Sequence, residues 1–184
     1  MKWTVPGTGI QIDPQQADHI SDVFSSMFLA GGIQLGQVCA VTQLEGHTVQ
    51  NWVKRGFLAA PEKKYYDLER LCRIITINML RPALPLEQIC GLLQYVNGDL
   101  KREDDDIIDD STLYFLFVRL AAYHRQMPTV QQSQEQMELV LSDYQEPVPG
   151  AKARVEKVLK VMLTAWAASQ LRQTAQKMTT QLFE

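Results

Sequence analysis

Apolar residues recur three and four positions apart through most of this chain, and each such run ends at a glycine or proline stop. That pattern demands a succession of amphipathic helices and leaves little room for a large sheet. Asp13-Pro14-Gln15-Gln16 reads as a helix start, with Asp as N-cap, Pro at the first position and Gln at the third. Ile20, Val23, Phe24, Met27 and Phe28 carry that helix to Gly31-Gly32. A second helix is expected over residues 34–41, with Leu35, Val38, Cys39 and Val41 inward, and a third over residues 48–54, capped by Gly56. A turn at residues 43–47 separates these two, and a short hairpin is expected within residues 57–66. Leu68, Leu71, Cys72, Ile75 and Met79 mark a fourth helix. Pro82 and Pro85 interrupt, and Leu86, Ile89, Leu92, Leu93 and Val96 mark a fifth that ends near Asn97-Gly98. Asp110-Ser111 is read as the cap of a sixth helix carrying Leu113, Phe117, Leu120 and Tyr123. A seventh covers residues 132–144, a break falls at residues 146–150, and a last helix runs over residues 151–182. The expected fold class is all-α with a short β-hairpin wing.

The 184 residues, 46% hydrophobic and 21% charged, suffice for a core without covalent staples. Cys39, Cys72 and Cys90 are three in number, far apart and set in apolar runs, so they read as small buried hydrophobes and not as a disulfide frame or zinc site. No apolar run follows the N-terminal lysine as in a signal peptide, and no stretch has the ~20 apolar residues of a membrane span. The expected compartment is the cytoplasm, without membrane attachment. The net charge of −3 is unevenly distributed: residues 96–150 carry −7, whereas residues 34–95 carry +2 and residues 151–184 carry +4. An acidic total weighs little against nucleic acid, because binding depends on the local patch.

Catalytic chemistry has no visible carrier. His19, His47 and His124 are scattered, with no carboxylate or cysteine at metal spacing. Asp104-Asp105-Asp106 with Asp109 and Asp110 lacks the glycine and terminal glutamate of a calcium loop, and reads as a solvated loop leading into a helix start. No glycine-rich phosphate loop or nucleophile elbow occurs. No enzyme activity, cofactor or metal is expected.

The informative stretch is residues 35–93. Val38, Val41-Thr42, Thr48-Val49, Trp52, Arg55-Gly56-Phe57-Leu58, Pro61, Lys63-Lys64-Tyr65-Tyr66, Leu71, Leu86-Glu87-Gln88-Ile89 and Leu92-Leu93 follow one another in a set order. That order resembles the winged helix-turn-helix head of the MerR family of bacterial transcription regulators, over about a third of the chain. Asn51-Trp52-Val53-Lys54-Arg55-Gly56, Pro61 and Lys63-Lys64-Tyr65-Tyr66 also resemble a bacterial domain-of-unknown-function family that carries such a head, which implies a regulator and little more. Gln50-Asn51 stand where MerR proteins often place arginine and tyrosine, and the wing is short, which leaves the base preference open.

Elementary chemistry points the same way. A recognition helix needs one apolar face for its partner helix, here Val49 and Trp52, and one polar face for the major groove. Thr48, Gln50, Asn51, Lys54 and Arg55 supply the polar face; Gln and Asn suit adenine edges, Lys and Arg suit guanine or phosphate. Lys63 and Lys64 beside Tyr65 suit phosphate at a wing tip. The candidate site for double-stranded DNA is therefore Thr48, Gln50, Asn51, Lys54, Arg55, Lys63, Lys64 and Tyr65. The chain divides on this reading into a helical arm at residues 1–33, the head at 34–98, and a dimerisation or sensing region at 99–184. A homodimer is expected, and a small-molecule effector, with Met162, Trp166, Phe117 and Tyr123 able to line a cavity or simply to form core. The alternative is a protein-interaction module that keeps the fold without DNA binding. The basic residues discriminate the two, since Lys54, Arg55, Lys63 and Lys64 must be free of ion pairs with Glu62, Asp67 or Glu69 to serve DNA.

Overall fold

The computed structural model describes residues 2–98, 106–124 and 130–183. The protein is mostly helical, with two small antiparallel strand pairs.

The chain opens with a hairpin that periodicity does not reveal. β1 (Trp3–Thr4) pairs with β2 (Gln11–Ile12), Trp3 opposite Ile12. Gly7, at φ +77°, sits so close to helix α4 that a Cβ there would lie 2.7 Å from the carbonyl oxygen of Ile75. Only glycine meets both demands, positive φ and close approach. The Asp13 start forms as expected: its carboxylate accepts from the Gln15 amide, and the Gln16 side chain accepts from the Asp13 amide. The first turns, Pro14–His19, are 3₁₀; α1 is only Ile20–Ser25, and another 3₁₀ turn, Ser26–Phe28, follows. Phe24 is fully buried edge-on to Tyr114 at 5.7 Å.

α2 (Leu35–Thr42) ends where Gln43 takes the left-handed conformation, φ 58°, and α3 (Gly46–Lys54) starts three residues later than α2's cap. The turn is thus shorter than residues 43–47, and His47 lies inside α3. α4 (Leu68–Leu80) is the axis of the molecule, packing against α2, α5 (Leu86–Asn97), α6 (Asp110–Tyr123) and α8 (Ala151–Gln181). It is buried on nearly every side, since Ile74, Ile77 and Leu80 are as inaccessible as Leu71, Ile75 and Met79. Asn78 on this helix donates to both Gly7 O (3.1 Å) and Thr42 O (3.0 Å), tying the N-terminal hairpin to the end of α2.

α7 spans Val130–Val140, earlier than residues 132–144. α8 changes character along its length. Val155, Val158, Leu159 and Met162 enter the core, but among the described residues none after Ser169 is buried. Leu171, Met178 and Leu182, whose apolar spacing suits either core or a dimer seam, are 60%, 61% and 80% exposed. The helix outruns the body it packs against. Phe117 and Met162 are fully buried, and Phe117 meets Trp166 edge-on at 6.1 Å, so these residues form core. The three cysteines are free thiols, Cys72 and Cys90 buried and Cys39 half-buried. Burial pushes the Cys72 and Cys90 thiols above their ordinary range, which suits inert core residues.

The acidic segment needs a correction. Asp104 and Asp105 lie outside the described residues. The cap of α6 is Asp109, not Asp110: its carboxylate accepts from the Thr112 amide at 2.6 Å. Asp110 is mostly withdrawn from solvent and faces Arg73 inside the protein.

Candidate nucleic-acid interface

α3 ends in a Schellman motif. Gly56, at φ +77°, donates its amide to Val53 O, and Phe57 donates to Trp52 O, both at 3.0 Å. The expected glycine cap is therefore present, and it turns the chain away directly after Arg55. Val49 and Trp52 are buried, as their place on the inner face requires. Gln50, Asn51, Lys54 and Arg55 are exposed and Thr48 is half-buried. A short helix thus shows four polar side chains to solvent while its apolar side is held by α2 and the core.

The basic turn is tighter than the sequence suggests. Glu62 and Tyr65 exchange backbone hydrogen bonds, Glu62 N–H to Tyr65 O at 3.0 Å and Tyr65 N–H to Glu62 O at 2.8 Å. Between them Lys63 (φ 47°) and Lys64 (φ 74°) both occupy the left-handed region. Two positive φ values in a two-residue connection are the pattern of a type I′ turn, which asparagine and glycine accept with less strain than lysine. The hairpin expected within residues 57–66 is this single bridge. The strand beyond it, β4 (Tyr65–Tyr66), pairs with β3 (Ile33–Gln34), placing Ile33 opposite Tyr66. Tyr66 is buried and Tyr65 is exposed, near enough to Gln34 for a long hydrogen bond of 3.5 Å.

Electrostatic partners separate the four cations. Arg55 is engaged: it reaches Glu87 at 3.0 Å and lies 4.6 Å over the Phe57 ring. Its pair is exposed on both sides, where such contacts contribute about 0–1 kcal/mol and yield readily. Among the described residues no ion pair involves Lys54, Lys63 or Lys64, and Glu62 and Asp67 are both occupied by Arg70. Arg70 also donates to Ala60 O at 3.0 Å, so one arginine braces the segment that leads into the basic turn.

Beneath this surface lies a polar cluster that periodicity did not single out. The Arg73 side chain, 3% exposed, meets the Asp110 carboxylate at 3.1 Å and leans toward Phe57 O at 3.4 Å. Glu69 accepts from the Ser111 amide at 2.9 Å. Burial pushes the Glu69 carboxyl up, Ser111 opposes this with its hydrogen bonds, and the neighbouring Asp109 and Asp110 add to the rise. Asn97, at the end of α5, donates to Ile108 O at 2.7 Å. The available signal was Arg73 itself, an arginine sharing a helix face with Ile77 and Leu80.

A family model described as a domain of unknown function, DUF1836, matches residues 22–117, just over half of the chain. The chain belongs to the DUF1836 family. The matched stretch runs from α1 into α6 and takes in every candidate residue above, the braced turn and the Arg73–Asp110 pair. The N-terminal hairpin and all of α7 and α8 fall outside it. The chain is also similar to the uncharacterized protein YkrK of Bacillus subtilis (strain 168), with 23% identity over 159 residues, 80% of this chain and 68% of that protein. No solved structure matches. Among the described residues no helix is long and apolar enough to cross a membrane, and no group of three or more metal-ligating side chains is assembled.

Proposed function

We propose that this DUF1836 protein is a non-catalytic, cytoplasmic transcription regulator that binds duplex DNA through a MerR-like head, with α3 in the major groove and the Lys63-Lys64 turn on the phosphate backbone. The observation that carries this reading is the division of α3: Val49 and Trp52 are buried while Gln50, Asn51, Lys54 and Arg55 face solvent. Helix-turn-helix readers divide their second helix in this way. Lys54, Lys63 and Lys64, without ion pairs among the described residues, support the phosphate half of the reading.

Groove readers of this kind work as two-fold dimers. We assign the dimer contact to the projecting end of α8. Val161, Thr164, Ala168, Leu171, Ala175, Met178 and Leu182 follow the alternating four- and three-residue spacing of a coiled-coil seam, and from Leu171 onward these positions have no cover. A small-molecule effector completes the regulator reading.

The experiment is fluorescence anisotropy of the full chain with random-sequence duplexes across a salt series, followed by selection of preferred sites. Affinity that falls steeply with salt and a recovered palindrome support the proposal. No salt-dependent affinity for any duplex at low ionic strength removes it, and the interaction-module reading takes its place.

A further inference from the structure

A cavity of about 590 Å³ lies between the opening hairpin, the end of α2, the end of α4 and α8. That volume is in the range of small-molecule sites. Its position coincides with the one opening in the central helix: from Leu71 to Leu80 every residue is buried except Asn78. The Asn78 amide nitrogen spends both its hydrogens on Gly7 O and Thr42 O. That fixes the amide and leaves Oδ1 to accept from a further partner at the cavity wall.

Charge and ring character narrow the class. The described lining residues include Lys2 and Arg81 and no carboxylate, in a chain whose acids outnumber its bases. Both cations are exposed, and among the described residues neither enters an ion pair. Two of the chain's three tryptophans, Trp3 and Trp166, line the same space, each half-buried. Trp166 is steadied from one side by Phe117. Indole rings beside cations suit a flat anionic molecule, because a planar heterocycle stacks on the rings while its charge meets the cations. Gln43, Gln170 and Gln173 add side-chain amides able to pair with the donor and acceptor edge of such a heterocycle. A purine or pyrimidine that carries one phosphate combines these features.

We propose that this cavity binds a nucleoside monophosphate, its base against Trp3 and Trp166, a base N–H donating to Asn78 Oδ1, and its phosphate on Lys2 and Arg81. The site touches both halves of the candidate machinery. Gln43 is the left-handed residue that ends α2, and α3 starts at Gly46. Trp166, Ser169, Gln170 and Gln173 recur at helical spacing on α8, on the face opposite the seam of Leu171, Ala175 and Met178. Ligand and dimer contact therefore do not compete for the helix. The role as an effector site rests on the regulator reading; occupancy of the cavity does not.

The test uses the full chain without DNA. Tryptophan fluorescence and titration calorimetry are run with adenosine, guanosine, cytidine and uridine monophosphates, with the four nucleosides, with inorganic phosphate, and with short single-stranded oligonucleotides. Saturable one-site binding that quenches tryptophan emission is expected for at least one monophosphate. Its nucleoside and inorganic phosphate should each bind more weakly by about tenfold or more. Lys2→Glu with Arg81→Glu should weaken binding of the same monophosphate by about tenfold or more. Gln170→Trp fills the cavity without changing its charge and should do the same. Lys63→Asn with Lys64→Gly should leave affinity unchanged, which separates the cavity from the basic turn. All these positions are exposed, and melting no lower than the parent's in the absence of ligand shows that the variants fold. The proposal is overturned if no monophosphate binds at concentrations on the order of 10 mM, or if inorganic phosphate binds as tightly as the best of them. It is equally overturned if either cavity variant leaves affinity unchanged, or if the basic-turn variant abolishes binding. An oligonucleotide that outbinds its own monomer in the basic-turn variant also overturns it, since a strand then occupies the cavity. Nucleotide binding without duplex binding discards the regulator reading alone.

Discussion

Arg73 of α4 and Asp110 of α6 form a buried ion pair, with the guanidinium Nη1 3.1 Å from one carboxylate oxygen and 3.4 Å from the other. The pair stands at the most extensive helix contact in the molecule, that of α4 with α6. Removing one member leaves an uncompensated charge in the interior. Asp110→Ala is expected to lower unfolding free energy by about 3–5 kcal/mol, whereas Arg73→Met combined with Asp110→Leu is expected to cost far less. Urea unfolding of the three proteins checks this; equal losses in the single and double variants would show that the site matters for shape alone.

Glu69 predicts how stability varies with acidity. Its folded pKa is raised above the unfolded value, chiefly by burial. The native state therefore holds this proton more tightly than the unfolded chain does. The stabilisation is fully present below the unfolded value and is lost as pH rises through the raised folded value. Glu69→Gln should flatten the stability profile across that window, matching the parent below it and lacking the parent's loss of stability above it. Thermal melts at intervals of pH read the difference, and a profile identical to the parent's would refute the assignment.

The basic turn allows charge and backbone to be tested apart. Lys63→Asn with Lys64→Gly supplies the residues that positive φ favours. Stability should hold or rise by roughly 1 kcal/mol, because lysine in the left-handed region is strained. Duplex affinity should fall about equally for all sequences, the log–log salt slope flattening by about 0.9 for each lost phosphate contact. Gln50→Ala or Asn51→Ala should instead relax preference at particular base pairs, each worth roughly 1–3 kcal/mol. Trp52→Ala, at a buried position, should destabilise the fold by about 3–5 kcal/mol and abolish binding for that reason.

The projecting end of α8 gives a prediction on assembly. Leu171→Glu with Met178→Glu alters only exposed positions, so circular dichroism and core stability should stay near the parent's. Sedimentation at tens of micromolar should move from a dimer mass to a monomer mass, because like charges then face each other across the seam. A parent protein that sediments as a monomer contradicts the dimer assignment.

Features fixed by neighbours in the chain were legible in the sequence. The Asp13–Gln16 start and the Gly56 cap are written within one helical turn, and the split of α3 into Val49 and Trp52 against Gln50 and Asn51 follows from its period. What escaped notice depends on residues far apart. Ile33–Gln34 becomes a strand only because Tyr65–Tyr66 lies beside it. Ile74, Ile77 and Leu80 make α4 apolar all round, and that should have marked it as the central helix and Arg73 as buried. Asp110 was misread because a run of aspartates resembles a solvated loop until a partner is known. Leu171 and Met178 could not be placed from the sequence, since apolar spacing shows that a face is apolar and not what covers it.

The hydrogen bond from the Tyr114 hydroxyl to Pro6 O, 2.8 Å long and spanning 108 residues of chain, has a consequence for how the protein is made. A ribosome adds about 5–20 residues each second. The opening hairpin, together with Gly7 pressed against α4, therefore waits on the order of 5–20 s for the residue that locks it. During that interval Val5 and Ile12, both buried in the finished molecule, have no home. This hairpin is a segment on which a cell's holding chaperones would act before α6 is made.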